Sequence, residues 1–466
     1  MDQRASIPVT TPRDNPTLSY WQTPPDEIAN LRSTPQIPET ADLVIIGSGI
    51  TGASTAFNVL SRAPETKIVM LEARQACSGA TGRNGGHTKP ASYTSFPANV
   101  QKLGLEEAIK IVKLEYNTLR GVHSFARQHN IPCDSEEVDT VDIVYDQTAW
   151  KNSLSSIEFM KKHLPGEPYS DYTIWSGKDA EEKFLCPGAL GAITYAAGSM
   201  SGYKLVIGIL KMCLKKGLNL QTNTLVTRLS RQDDGWVAET SRGTIRAPKI
   251  IMATNGYTAA IYPKLQGVIM PLRGQMTAHR PGTNMPKDGL KTTYSFVYKG
   301  GFDFMIPRPQ GSKHAGDIVI GGGFITGKDE GLHECGTVDD TVCDPVIMDY
   351  LTATTERFFG KNWGEDDPAG RIRSKWTGIM GYSADGHPLI GEMPGDPGLY
   401  ICASFQGHGM ALCFLCAQAF TSMIFGDDEK SIYTWLPKAY KVTPERLQLK
   451  VNGEISHSAT APSTDI

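Results

Sequence analysis

Residues 43–60 read LVIIGSGITGASTAFNVL: an apolar run, then Gly47, Gly49 and Gly52, then a helical pattern. ADLVIIG has the length and unbroken apolarity of a parallel strand buried on both faces. Beyond the glycines, Ala53, Ala56 and Leu60 recur at helical spacing, and Pro64 ends the pattern. KIVMLE then supplies a second buried strand, ending at Glu72, 25 residues after Gly47. Each part has a physical task in a dinucleotide site. Gly47 permits a tight turn, Gly49 lets the backbone approach a pyrophosphate, and Gly52 lets helix and strand pack closely. Ser48, Ile50 and Thr51 sit at the helix N-terminus, whose free N–H groups and partial positive charge suit phosphates. Glu72 is placed to accept hydrogen bonds from a ribose diol. A lone GxGxxG also describes an ordinary tight turn, but here both strands and the terminal acid accompany it.

Outward from this unit, EARQACSGATGRNGGHTKP packs Gly79, Gly82, Gly85 and Gly86 around Arg83, Asn84 and His87. Such a glycine-dense loop suggests backbone running along a large cofactor. Near the other end of the chain, the strand LYICAS leads into FQGHGM and an apolar helix, a second strand–glycine–helix junction. GSGITGAS, LEARQACSGATGRNGG and FQGHGMAL together resemble the FAD-dependent oxidoreductases of the D-amino-acid oxidase superfamily. Within it, the likeness is to the branch of gamma-glutamylputrescine oxidase, glycine oxidase and monomeric sarcosine oxidase, and it runs from about Tyr20 to Phe425.

The resemblance implies an α/β chain: a Rossmann-like FAD-binding domain, and an α+β substrate domain on a mixed or antiparallel sheet. Both are discontinuous. The expected division is an arm over 1–40, FAD binding over 41–90, 200–264 and 370–430, substrate binding over 91–199 and 265–369, and a tail over 431–466. FAD would lie extended, its AMP half on the glycine turn beside Glu72, Ala73 and Arg74. Ala80, Thr81, Arg83, Asn84, Gly85, Gly86 and His87 would follow its length. Val226, in NTLVTRL, would contact the adenine, although an ordinary core strand accounts for that valine equally well. Gly407, His408, Gly409 and Met410 would meet the flavin pyrimidine ring, where amides at a helix end stabilise the negative charge of the reduced ring.

The implied reaction removes hydride from the carbon next to an amine to flavin N5. It gives an imine and, with O2, hydrogen peroxide. The amine must be neutral, because its lone pair pushes as the C–H bond breaks. The catalytic candidates are His87 and His408. His87 is either a base or only a flavin contact, and His408 is either a donor or a packing group. Three departures qualify the likeness. Thr377, in KWTGIM, stands where monomeric sarcosine oxidase bonds a cysteine to its flavin, so FAD is expected to be non-covalent. Ala411 replaces a carboxylate-binding lysine, which favours an amine substrate over an amino acid. Val319 replaces an oxygen-activating lysine, so a dehydrogenase using another acceptor, or a silent flavin-binding protein, remains an alternative. Tyr203, Phe302, Phe304, Met305, Trp376 and Tyr382 are candidates for an aromatic pocket or for plain core.

The rest of the chain supports these expectations. Its 466 residues suit two domains, and a net charge of −3 gives no reason to expect a nucleic-acid partner. MDQRASIPVTTPRDNP has no apolar signal region, and no stretch of about 18 apolar residues exists, so a cytoplasmic protein without a membrane partner is expected. The first forty residues are proline-rich yet carry Tyr20 and Trp21, which suggests an arm lying on the body. SHSATAPSTDI is polar and expected to fray. Cys413 and Cys416 form a CxxC inside an apolar helix and read as small core residues. HEC at 333–335 lacks a further ligand at zinc spacing, so no metal is expected. Asp385 and His387 make either an acid–base pair or an Asp-Gly/His-Pro turn. Oligomeric state is not legible.

Overall fold

The strand Leu43–Ile46 is central to a six-stranded sheet in a computed structural model that describes residues 2–451. It pairs in parallel with Ile68–Leu71 on one side and Lys249–Met252 on the other. Asn219–Gln221 extends the sheet beyond the former, and Leu399–Ala403 beyond the latter. Only the edge strand Leu389–Glu392 runs antiparallel. The apolar run is buried on both faces, as a central parallel strand must be. Leu43 and Ile45 pack on the helices Ile50–Arg62 and Gly202–Lys215, against Ala56, Leu60, Leu205 and Ile209. Val44 and Ile46 face Val226, Trp236 and Ile245 of a three-stranded antiparallel sheet over Val226–Ala247.

The second layer system is an eight-stranded sheet. Its order is 372–383, 269–279, 318–321, 301–307, 293–298, 136–144, 191–199, 173–176, all antiparallel except the pair 293–298 and 136–144. Its apolar faces bury Phe296, Met305 and Ile320 on one side and Tyr93, Ile157 and Ile193 on the other. This is the expected α/β architecture with a mixed, discontinuous second sheet. One boundary differs from the expected division. Ile372–Ser383 hydrogen-bonds along Ile269–His279, so it belongs to the eight-stranded sheet rather than with the nucleotide half.

Other differences have local causes. The helical stretch from 96 to 128 is two helices, Phe96–Leu103 and Leu105–Gln128, because Gly104 adopts φ +86. The arm is pinned: Trp21 Nε1 donates to Asn84 O (2.6 Å), Ser19 Oγ to Gly82 O (2.6 Å) and Thr17 N to Asp340 O (2.7 Å). The start of the tail is packed rather than frayed. Tyr440 and Val442 are buried, Val451 N donates to Gly267 O (2.8 Å), and Arg446 pairs with Asp385. The SHSATAPSTDI segment lies outside the described residues. Among the described residues, no helix is long and apolar enough to cross a membrane.

Candidate functional site

A cavity of about 410 Å³ runs along the carboxyl ends of the central strands, where open α/β sheets place their ligands. Gly47 follows the first strand, Glu72 the second and Ala253 the third, and all three line it. The facing wall comes from the eight-stranded sheet, through Gly274–Met276, Phe302, Phe304 and Gly378–Met380. All the sequence-predicted site residues border this cavity except Gly52 and Gly86. Those two act from behind the wall. A Cβ on Gly52 would sit 2.1 Å from Gly47 O, and one on Gly86, at φ +82, would sit 2.4 Å from Met200 O.

The three glycines of the first turn answer different demands. Gly47 needs its φ of +106 and has Ala253 O 2.6 Å from a Cβ position. Gly52 is required by helix–turn contact. Gly49 is required by neither: its φ is −69, and a Cβ would meet only the Thr81 side chain, 3.2 Å away at Oγ1. Gly79, also on the cavity, has ordinary φ of −83 and nothing within 4 Å of a Cβ. Bare backbone therefore faces open cavity at two points where the protein's own packing does not ask for it. That is the cradle an extended pyrophosphate would fill. The helix Ile50–Arg62 has no side-chain cap, and its first ladder bond is Ala53 N to Gly49 O, so the Thr51 and Gly52 amides lie outside its ladder. Ile50 N donates to Thr81 Oγ1 (3.1 Å), tying the loop to the turn. Glu72 accepts from Ser48 N (3.1 Å), Ser48 Oγ (2.6 Å) and Arg74 N (3.0 Å), which fixes the acid at the strand end.

The predicted arginines are anchored to the protein. Arg74 forks onto Asp340 (3.1 and 2.9 Å), and Arg83 donates to Ser78 O and Thr377 O (2.8 and 2.9 Å). Burial brings Arg83 down to about 10. At the C-terminal junction, Ser404, Gln406 and Gly407 all have positive φ. Asn255 Oδ1 accepts from Ser404 N (2.9 Å), holding that unusual turn. Gly409 and Met410 sit just before the helix Cys413–Ile424 and line the cavity.

The far end is built from side chains. His87 Nε2 shares a hydrogen bond with Thr293 Oγ1 (2.7 Å). Burial, and then the charge of Lys89, holds His87 well below the ordinary histidine range, and His408 is brought to about 4 by the same two causes. Both are neutral imidazoles at neutral pH. Lys89 Nζ donates to Asp142 Oδ1 (2.5 Å) and Ser295 Oγ (2.7 Å), and Tyr93 and Tyr195 hydroxyls donate to Asp142 Oδ2 (2.7 and 3.0 Å). Phe302, Phe304 and Tyr382 line the cavity, whereas Tyr203, Met305 and Trp376 are core. Thr377 lies off the cavity, its hydroxyl beside Thr17 and Asp340 O, and Val319 is fully buried. The Asp385–His387 pair is a turn, with His387 N donating to Asp385 Oδ1 (3.2 Å) and Arg446 holding the carboxylate. Glu334 of the HEC stretch is buried against Arg273 (2.7 Å). Cys413 and Cys416 are free and buried, and Cys413 reaches the cavity.

Sequence reasoning missed Lys89, Asp142, Asn255 and Asp340. Asp142 did leave a trace, as a charge inside the apolar strand VDTVDIVY.

Residues 42–423 match the profile of the family described as FAD dependent oxidoreductase. A probable oxidoreductase OrdL of Rhizobium meliloti is 23% identical over 397 residues, covering 83% of each chain. Gamma-glutamylputrescine oxidoreductase of Escherichia coli is 20% identical over 394 residues, covering 84% of this chain and 85% of its own. Among solved structures, glycine oxidase from Geobacillus kaustophilus superposes with a TM-score of 0.65 at 18% identity, over 84% of this chain and 96% of that one.

Proposed function

The chain belongs to the FAD-dependent oxidoreductase family, in the D-amino-acid oxidase superfamily, and from that membership we propose that it oxidises the carbon–nitrogen bond of a small amine. It is an oxidoreductase of the amine and amino acid oxidase type, and its cofactor is FAD. The observation that carries the finer reading is the charge balance of the cavity. Arg74 and Arg83 share Asp340 and have Glu72 beside Arg74 as a second acid, Lys89 is paired with Asp142, and Arg273 is paired with Glu334. A substrate carboxylate would find no uncompensated cation among them, whereas a neutral amine needs none.

In this reading, Gly49 and the amides of Thr51 and Gly52 hold the pyrophosphate, Glu72 the ribose and Val226 the adenine side. Gly409 and Met410 meet the opposite end with their amides. When bound, FAD supplies the acceptor for the hydride leaving the carbon beside nitrogen, and O2 can regenerate it. The side chains do the rest. Phe302, Phe304 and Tyr382 keep water from the reacting carbon, and the neutral imidazoles of His87 and His408 are available to receive the ammonium proton. His87 already shares Nε2 with Thr293, which favours a positioning contact for it and proton acceptance for His408. FAD is held without a covalent bond: Cys413 is the cysteine that lines the cavity, and burial pushes its thiol up to about 12.

The test is a panel of amines and amino acids added to the purified yellow protein under argon. Bleaching of the flavin band by an amine, and its prompt return with hydrogen peroxide on admitting air, is the expected result. Bleaching only by amino acids overturns the substrate class. Bleaching that air does not reverse points to a dehydrogenase, and a panel that never bleaches the flavin points to a binding protein.

A further inference from the structure

Behind His408 lies a second, smaller cavity of about 60 Å³, room for one or two waters. It shares Gln406 and His408 with the large cavity and is otherwise walled by groups that include Glu115, Lys102 and Tyr440. Glu115 sits on the helix Leu105–Gln128 and is 4% exposed. A buried carboxylate normally has a cationic partner, and among the described residues Glu115 has only the neutral His408 imidazole within 4 Å. Its Oε2 accepts from Ala91 N (2.9 Å) and Ser92 N (3.4 Å). Its Oε1 stands 3.8 Å from His408 Nε2, which is itself buried and, among the described residues, without a hydrogen-bond partner. Closing that gap by about 1 Å makes a hydrogen bond. An unpartnered imidazole nitrogen thus faces a buried carboxylate directly behind the reaction cavity.

We propose that Glu115 and His408 form a proton store: His408 takes the proton that a substrate ammonium must shed and passes it through Nε2 to the Glu115 carboxylate. This rests on the amine reading above. The ammonium N–H bond breaks and leaves its electron pair on nitrogen. One N–H bond forms on the imidazole while another breaks at Nε2, and an O–H bond forms on Glu115. One positive and one negative charge are discharged together, so the closed cavity gains no net charge. Burial raises Glu115 to about 7, against the pull of the two amides, so both its forms are present near neutral pH. The titratable groups facing it are His408, Tyr172 and Tyr440. Across the small cavity stand Lys102, His387 and Asp385, the last held by Arg446, and Lys89 bears on His408 from the other side.

The test uses the FAD-loaded protein in two measurements. Infrared titration of the wild type should show a buried protonated carboxyl that disappears between about pH 5 and about pH 9 and is missing in Glu115→Gln. In Glu115→Gln, anaerobic bleaching by the amine should slow at least about tenfold near pH 7, with amine affinity little changed and the acid limb of the pH profile displaced. His408→Gln should lose the same limb, which supplies the kinetic arm should Glu115→Gln not fold. The proposal is overturned if the wild type shows no such titrating band, or if Glu115→Gln keeps the wild-type pH profile. Bleaching by no amine in either protein strikes instead at the amine reading, and the infrared band tells the two failures apart.

Discussion

At one end of the large cavity the wall is main chain, from Gly47 to Thr51 and from Gly79 to Gly85; at the other it is side chains, with His87, Lys89 and His408 foremost. The first end takes its polarity from amides and a helix terminus, whose partial charges do not titrate. The second takes it from ionisable groups whose charge is set by burial and by one another, as the lowered His87 and His408 show. The nucleotide end should therefore be sensitive to added volume and indifferent to pH. The reaction end should tolerate modest changes of volume and respond sharply to lost partners and to pH.

The largest effect should come from Asp142→Ala. Asp142 is 2% exposed and receives hydrogen bonds from Lys89, Tyr93 and Tyr195. Removing it strands a largely buried ammonium and two hydroxyls, and breaking a buried pair in this way costs about 3–5 kcal/mol. Denaturant unfolding measures that loss. The folded fraction should still bind FAD, because nothing in the glycine turn depends on Asp142. A folded but colourless variant would mean that the two ends share one support.

A second, smaller effect concerns pH. The folded-state pKa of Glu115, about 7, lies above the unfolded value of about 4.3, so the folded chain holds this proton more tightly. The stability this group contributes is fully present below the unfolded value and is lost as pH rises towards the folded one. Glu115→Gln does not titrate. Relative to wild type at saturating FAD, it should therefore gain about 2–3 kcal/mol between pH 5 and pH 8. Unfolding curves at both pH values measure the gain. A difference independent of pH would show that the carboxyl is already ionised throughout.

The two ends also differ in how they are written in the sequence. Residues 43–72 form one local unit, and a local unit carries its own periodicity, glycine spacing and terminal acid, so strand, turn and helix were all legible. The second junction was legible for the same reason. Lys89 meets Asp142, and Glu115 meets His408, only because the eight-stranded sheet and the helix Leu105–Gln128 bring distant segments together. No spacing along the chain records that meeting. In sequence Glu115 is one more charge among the six acids and bases of residues 105–120, and only its depth in the structure sets it apart. The strand Ile372–Ser383 is hidden in the sequence for a related reason: it precedes the nucleotide junction along the chain, while its hydrogen bonds run to Ile269–His279.

The smallest expected effect separates two glycines that the motif treats alike. A Cβ at position 52 lies 2.1 Å from Gly47 O, a backbone atom that cannot rotate away. Gly52→Ala must move the turn itself, so the apoprotein should lose about 2 kcal/mol and FAD affinity should fall with it. At position 49 the backbone is ordinary, and the Cβ meets only a hydroxyl at 3.2 Å. Gly49→Ala should leave apoprotein stability within about 0.5 kcal/mol of wild type while weakening FAD binding. Thermal unfolding of both apoproteins, beside a flavin titration of each, reads the two quantities apart. If Gly49→Ala binds FAD as the wild type does, the bare backbone at that point is not there for the pyrophosphate, and the main-chain account of this end gives way. If it destabilises the apoprotein as Gly52→Ala does, both glycines serve the turn alone.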